Sequence, residues 1–212
     1  MDGIDAAIVT ATGAEDARNQ GPPVTPDYVE RVATWMETER GYDRRDLPAF
    51  HRLAEFLAWR RRGRATKGLV LAGPNGNGKT LWLRMFAFCR MVSCADIARR
   101  WVDAGGPDTM AWLSPPTGYD VIPEQYYPLV LDELGDEPRV NSYGTKTECM
   151  GEVLAERYEL FVRHGMRAAT YISTNLSAQD IQTRYGNRVY SRLCEMCNRV
   201  EFTAPDSRTG EA

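Results

Sequence analysis

The 212-residue sequence predicts an α/β fold of three layers, with a mainly parallel sheet held between two layers of helices. Three observations predict it. Gly68-Leu69-Val70-Leu71-Ala72 and residues 127–131 are short apolar runs, the pattern of strands buried on both faces. Longer segments with apolar residues at helical spacing alternate with such runs. The first run also opens directly into a glycine-rich turn and then an amphipathic segment, the strand, turn and helix of a parallel α/β unit.

The elements follow in order. Residues 1–25 are small, polar and tipped with Gly and Pro, and read as disordered. Residues 26–46 form a short N-terminal helical extension. Its helix, 26–39, is capped by Thr25, ends before Gly41 and carries Tyr28, Val32, Trp35 and Met36 on one stripe. The main domain spans 47–208, and 209–212 are a tail. Its first helix, 48–62, repeats Phe50, Leu53, Ala54, Leu57 and Ala58 at a period of 3.6. After the strand 68–72, a helix follows from Lys79 to about Phe88, then a strand at Met91-Val92 and a helix at 95–102. Residues 104–126 are rich in Gly, Pro and Tyr and are assigned no element. A strand at 127–131, a long helix at 145–163 and a strand at 168–173 come next. Helices at 178–183 and 188–197 and a last strand at 200–203 complete the reading.

Composition narrows the function classes. Apolar residues make up 43% and charged residues 26%, ordinary for a globular chain. A net charge of −3 excludes an electrostatic DNA binder acting through the whole surface, so any nucleic-acid contact must use a local basic face. The five cysteines, Cys89, Cys94, Cys149, Cys194 and Cys197, are odd in number and follow no signal-peptide pattern, which reads as a reducing cytoplasm. No run approaches the roughly 18 apolar residues of a membrane span, so no membrane partner is expected.

The strongest motif is Gly73-Pro74-Asn75-Gly76-Asn77-Gly78-Lys79-Thr80, a P-loop with a strand before it and a helix after it. Glycines let backbone N–H groups turn inward around phosphate oxygens. The helix N-terminus adds partial positive charge. Lys79 reaches the β- and γ-phosphates, and the Thr80 hydroxyl ligates Mg²⁺. These residues predict nucleoside-triphosphate binding, with ATP and Mg²⁺ as the ligands.

Asp132 and Glu133 end the apolar run 127–131, 53 residues after Lys79. This is the Walker B pattern. Asp132 would hold Mg²⁺ and Glu133 would polarise the attacking water, which points to hydrolysis; the plainer reading is a pair of acids closing a strand. Thr170-Tyr171-Ile172-Ser173-Thr174-Asn175 is a further buried strand ending in polar groups. Asn175 either orients the attacking water or caps the next helix or an Asx-turn. Arg188 and Arg192 sit four apart on one helix face. Arg192 either reaches a neighbouring subunit's γ-phosphate or lies on a solvated face paired with Glu195.

Other features read more plainly. Cys194-Glu195-Met196-Cys197 lacks the second ligand pair of a zinc site, and its cysteines are expected in the core. His51 and His164 are too isolated to be ligands. Arg60, Arg61, Arg62, Arg64 and Lys67, like Arg99 and Arg100, form solvated helix surface or touch phosphate backbones.

Taken in order, GPNGNGKT, YYPLVLDELGDEP, YISTNLSAQDI and YGNRVYSRLCEMCNRVEF resemble the DnaC helicase-loader family and its relative IstB, the ATPase of insertion-sequence transposition, both of the AAA+ superfamily. The resemblance covers about 47–208. It implies an AAA+ core with little or no C-terminal lid and places the Walker A roles on Gly73, Gly78, Lys79 and Thr80. It likewise implies Walker B roles for Asp132 and Glu133, sensor 1 for Asn175, an arginine finger at Arg192 and a sensor 2-like arginine at Arg208. The helix near 95–103 falls where the family contacts single-stranded DNA. The implied partners are single-stranded DNA (or duplex), a replicative helicase or a transposase, and further copies of the chain in an ATP-dependent homo-oligomer. The implied function is helicase loading in DNA replication. The loader's helicase-binding domain is larger than the N-terminal extension here. Alternatives are an IstB-like transposition ATPase, a small-molecule P-loop kinase and a nucleotide switch without turnover.

Overall fold

The computed structural model describes residues 31, 34, 38, 46–61, 65–87, 89–103, 128–142 and 145–203. Contacts divide the chain into two units, Met1–Ala65 and Thr66–Ala212. That division falls after the helix which the sequence reading groups with the nucleotide-binding domain.

In the first unit, Arg31, Thr34 and Thr38 are helical, and the Thr38 hydroxyl donates to the Thr34 carbonyl at 2.8 Å. The rest of the predicted helix 26–39 lies outside the described residues. Helix α1, Leu47–Arg61, matches the 3.6-residue pattern and buries Ala49, Phe50, Leu53, Ala54 and Phe56.

The second unit holds a five-stranded, wholly parallel sheet. In chain order it contains β1 (Gly68–Ala72), α2 (Lys79–Phe86), β2 (Arg90–Ser93), α3 (Cys94–Asp103), β3 (Leu129–Leu134), a hairpin of β4 (Val140–Ser142) and β5 (Thr145–Thr147), and α4 (Cys149–His164). A 3₁₀ turn, Gly165–Ala168, leads into β6 (Thr170–Thr174), α5 (Ala178–Tyr185), α6 (Asn187–Met196) and β7 (Cys197–Glu201). The order across the sheet is β2-β3-β6-β1-β7. Every residue of β1 and of β6 is buried, as strands covered on both faces require.

One face of the sheet packs Val70, Ala72, Val92, Leu129, Leu131 and Ile172 against Ile97 and Trp101 of α3, Met150 and Leu154 of α4, Ile181 of α5 and Leu193 of α6. Helix α2, with buried Trp82 and Leu83, contacts β3 and β6. The buried Arg157 of α4 fixes the entry to β6: its guanidinium donates to the carbonyls of Ala168 and Ala169 and to the Thr170 hydroxyl. Burial lowers that guanidinium from its usual range to about 10.

Two expectations are corrected. Helix 145–163 begins only at Cys149, because Thr145–Thr147 pairs antiparallel with Val140–Ser142. Thr145 and Thr147 are β-branched and fit a pleated strand better than a helix. The last strand begins at Cys197, not at Val200, since it pairs with β1 from Gly68↔Cys197 onward. Among the described residues, no helix is long and apolar enough to cross a membrane.

Candidate functional site

Parallel pairing brings the carboxyl ends of the strands to one edge. Ala72 lies beside Thr174 and Glu201, Ser93 beside Asp132, and Leu134 beside Thr174. That edge is where open α/β sheets bind ligands.

The glycine-rich loop leaves β1 between two neighbours. The Phe202 N–H donates to the Ala72 carbonyl at 2.8 Å, and the Gly73 N–H to the Thr174 carbonyl at 3.2 Å. Gly73 has φ 137°, and a Cβ there would stand 2.2 Å from the Phe202 carbonyl oxygen, so no other residue fits. Gly76 and Gly78 turn the chain again at φ 76° and 81°. Pro74 and Asn75 lie exposed at the tip. Gly78 caps α2, and the first helical bond, Trp82 N–H to the Gly78 carbonyl, leaves the N–H groups of the preceding turn facing the loop. The Lys79 ammonium is buried and donates to the carbonyls of Gly73 at 2.8 Å and Pro74 at 2.5 Å and to Asn77 Oδ1 at 3.1 Å. A phosphate oxygen is a stronger acceptor than these neutral ones, because its bond to an ammonium is charge-assisted on both sides.

The second half of the site is built on β3 and β6. Asp132 Oδ1 accepts from the Thr80 hydroxyl at 2.8 Å and from the Ser173 hydroxyl at 2.5 Å. Ser173 Oγ in turn accepts from the Glu133 N–H at 2.8 Å. The strand does not end at Leu131, as the apolar run 127–131 suggests, but runs to Leu134 through an irregularity between Leu131 and Leu134. Glu133 sits in that irregularity with φ 59°, the left-handed region that few non-glycine residues adopt. Asp132 is buried and Glu133 exposed.

The residues that hold this arrangement from below were not singled out by the sequence reading. Ser173 and Thr174 had one signal, polar groups inside an apolar strand. Arg184, Glu137 and Glu148 had none. Glu137 is buried; it accepts from the Gly135 N–H at 2.8 Å and from the Tyr185 hydroxyl at 2.5 Å, and it pairs with Arg184 at 3.0 Å. Burial, and then the bond to Glu137, push the Tyr185 phenol well above its ordinary range.

The remaining predicted residues divide. Asn175 follows β6 directly, half-buried at the same edge, and the cap of α5 is Ser177 rather than Asn175. Arg192 does not pair with Glu195. It bonds Glu159 at 3.1 Å and lies over the Tyr158 ring at 4.9 Å, while the Tyr158 hydroxyl takes Glu195. Arg188 is exposed on the same helix. Arg99 pairs with Asp96, and both Arg99 and Arg100 are exposed on α3. Arg208, Arg62 and Arg64 lie outside the described residues. His51 pairs with Glu55 at 3.4 Å. Cys197 is buried as expected, its thiol pushed by burial up to about 12, but Cys194 is exposed, because it lies on the outer side of α6.

The residues present fit a nucleotide and a hard cation. Among the described residues, Asn77 Nδ2 is buried in the loop without a hydrogen-bond partner, a donor suited to an anionic oxygen. Thr80 and Asp132 bring a hydroxyl and a carboxylate oxygen together, the ligand types Mg²⁺ takes. A parallel sheet flanked by helices, with this loop at the carboxyl ends of its strands, is the α/β architecture of P-loop proteins.

No protein-family model matches the chain, and no curated protein does. Among solved structures the chain is similar to the crystal structure of the DnaC helicase loader, with a TM-score of 0.48 and 20% identity over 73% of this chain and 90% of that one. This is a distant likeness.

Proposed function

We propose that the chain binds ATP with Mg²⁺ at loop 73–80 and hydrolyses it, as a DnaC-like AAA+ protein that handles single-stranded DNA for a ring helicase in replication. One observation carries the hydrolytic part: the acid after Asp132 is turned out at the carboxyl edge while Asp132 itself is tied to Thr80. The order of the four sequence motifs supports the DNA part.

Lys79 and the loop N–H groups would neutralise charge on the transferred phosphoryl. Thr80 and Asp132 would hold Mg²⁺, which when bound draws charge from the phosphate oxygens. The Glu133 carboxylate would accept a proton from the attacking water. Strand β6 lies between β1 and β3, and Asn175, which follows it, would orient that water. Arg192 would complete the site of a second protomer. To do so it would leave its ion pair with the part-exposed Glu159 and its place over the Tyr158 ring.

The test is ATP turnover by the purified protein, alone and with single- or double-stranded DNA, beside Lys79→Ala and Arg192→Ala. Turnover should rise with single-stranded DNA and fall at least about 100-fold in both variants. Stronger stimulation by duplex would favour an IstB-like transposition ATPase. Turnover indifferent to DNA and intact in Arg192→Ala would sink the shared site, and phosphoryl transfer to a small acceptor would replace hydrolysis with a kinase.

A further inference from the structure

A left-handed glutamate in a strand is strained, and such a conformation persists only where its surroundings over-determine it. The turn that carries Glu133 is held from two sides. On the β6 side, the Thr174 hydroxyl donates to the Leu134 carbonyl at 2.6 Å and accepts from the Leu176 N–H at 3.0 Å. Gly135 is pressed so close to Leu176 that a Cβ would stand 2.6 Å from its side chain. Within the turn, the Asp136 N–H donates to the Glu133 carbonyl at 3.1 Å.

On the other side stands Arg184, near the end of α5. Its guanidinium donates to the carbonyls of Gly135 and Glu137, pairs with Glu137 at 3.0 Å and reaches Glu148 at 3.1 Å. Glu148 also pairs with Arg139. One side chain thus ties both ends of the stretch that follows Glu133, and does so from the helix that begins just after Asn175.

We propose that Arg184 is a positioning residue for hydrolysis: by clamping the Gly135 and Glu137 carbonyls and pairing with Glu137 and Glu148, it keeps the Glu133 carboxylate aimed at the attacking water. The planar fork is what the task needs, since two carbonyls and two carboxylates are met at once, which an ammonium on a flexible stem cannot do. This rests on the hydrolytic reading above. It predicts that nucleotide binding, which belongs to β1 and its loop, is indifferent to Arg184, whereas turnover is not.

The experiment compares wild type, Arg184→Ala and Arg184→Lys by steady-state ATP turnover, by equilibrium binding of a fluorescent ATP analogue and by hydrogen exchange at Gly135 and Asp136. Alanine leaves Glu137 buried without its charge partner and threatens the fold. Lysine keeps a charge there and is the decisive variant. The expected result for Arg184→Lys is turnover lower by about 10- to 100-fold, analogue affinity within about threefold of wild type, and faster exchange at the two amides. Turnover within twofold of wild type in a folded Arg184→Lys would overturn the positioning role while leaving hydrolysis intact, and so would a loss of analogue binding equal to the loss of turnover. Absence of turnover in the wild type itself, with the analogue still bound, would overturn the hydrolytic reading and the positioning role with it.

Discussion

Two turns at the same edge of the sheet take left-handed backbone, one on glycines alone and the other on a glutamate followed two residues later by a glycine. The loop after β1 places glycine at each such position, Gly73, Gly76 and Gly78. A glycine pays no steric penalty there, so the loop's shape is written in its own residues. The turn in β3 also has a glycine, Gly135 at φ 108°, but its first such position is a glutamate, at a cost of about 1–3 kcal/mol. That cost is offset by contacts from β6 and α5, 40 and more residues further along the chain. The first turn is specified locally and the second by the rest of the domain. A binding loop can be all glycine, because its ligands are backbone N–H groups. Under the proposed function the turn in β3 cannot, because its working group would be a side chain.

The largest effect is expected at Gly73. Gly73→Ala should cost about 2–4 kcal/mol of stability, since its Cβ would meet the Phe202 carbonyl and the backbone could not relax from φ 137°. Chemical denaturation read by far-UV circular dichroism would show it as a lower midpoint with unchanged slope. A midpoint equal to wild type would mean that the contact between loop and β7 is looser than described.

At Glu133 the same logic reverses sign. Glu133→Gly relieves the left-handed strain, although it also adds freedom to the unfolded chain. The net expectation is a gain of about 1 kcal/mol, or roughly 2–4 °C in melting temperature, together with loss of turnover. A glycine variant less stable than wild type would show that the turn carries no strain for β6 and α5 to hold.

What was legible in the sequence follows the same division. The strands β1 and β6, the P-loop and the Asp132-Glu133 pair are each written within a few consecutive residues, and their periodicity and glycine spacing placed them. The hairpin of β4 and β5 was missed because Thr145, Lys146 and Thr147 carry no apolar alternation to distinguish a strand from the first turn of the helix behind them. Arg184 was invisible for a different reason. Its partners Gly135, Glu137 and Glu148 stand 36 to 49 residues away in sequence, and nothing local marks an arginine near a helix end as anything but solvated. The pairing of Arg192 with Glu159 rather than Glu195 has the same cause, an interhelix contact that outcompetes a local one.

The mildest effect is expected at a third turn on this edge, after Asn175, where the cap of α5 is closed by its own residues. Ser177 caps α5 in a closed box: its hydroxyl accepts from the Asp180 N–H, and the Asp180 carboxylate accepts from the Ser177 N–H and hydroxyl. Those bonds from Ser177 lower the Asp180 carboxyl below its ordinary 3.8. A carboxyl depressed on folding stabilises the fold above its unfolded value and loses that contribution as pH falls through the folded value. Ser177→Ala should therefore melt slightly below wild type at neutral pH, and the gap should narrow as pH drops below 3.8. A gap constant with pH would assign the effect to the serine's own bond to the helix and not to the carboxylate. Since α5 carries Arg184 at its far end, loosening its first turn should leave analogue binding unchanged and lower turnover only modestly, a smaller version of the Arg184→Lys effect.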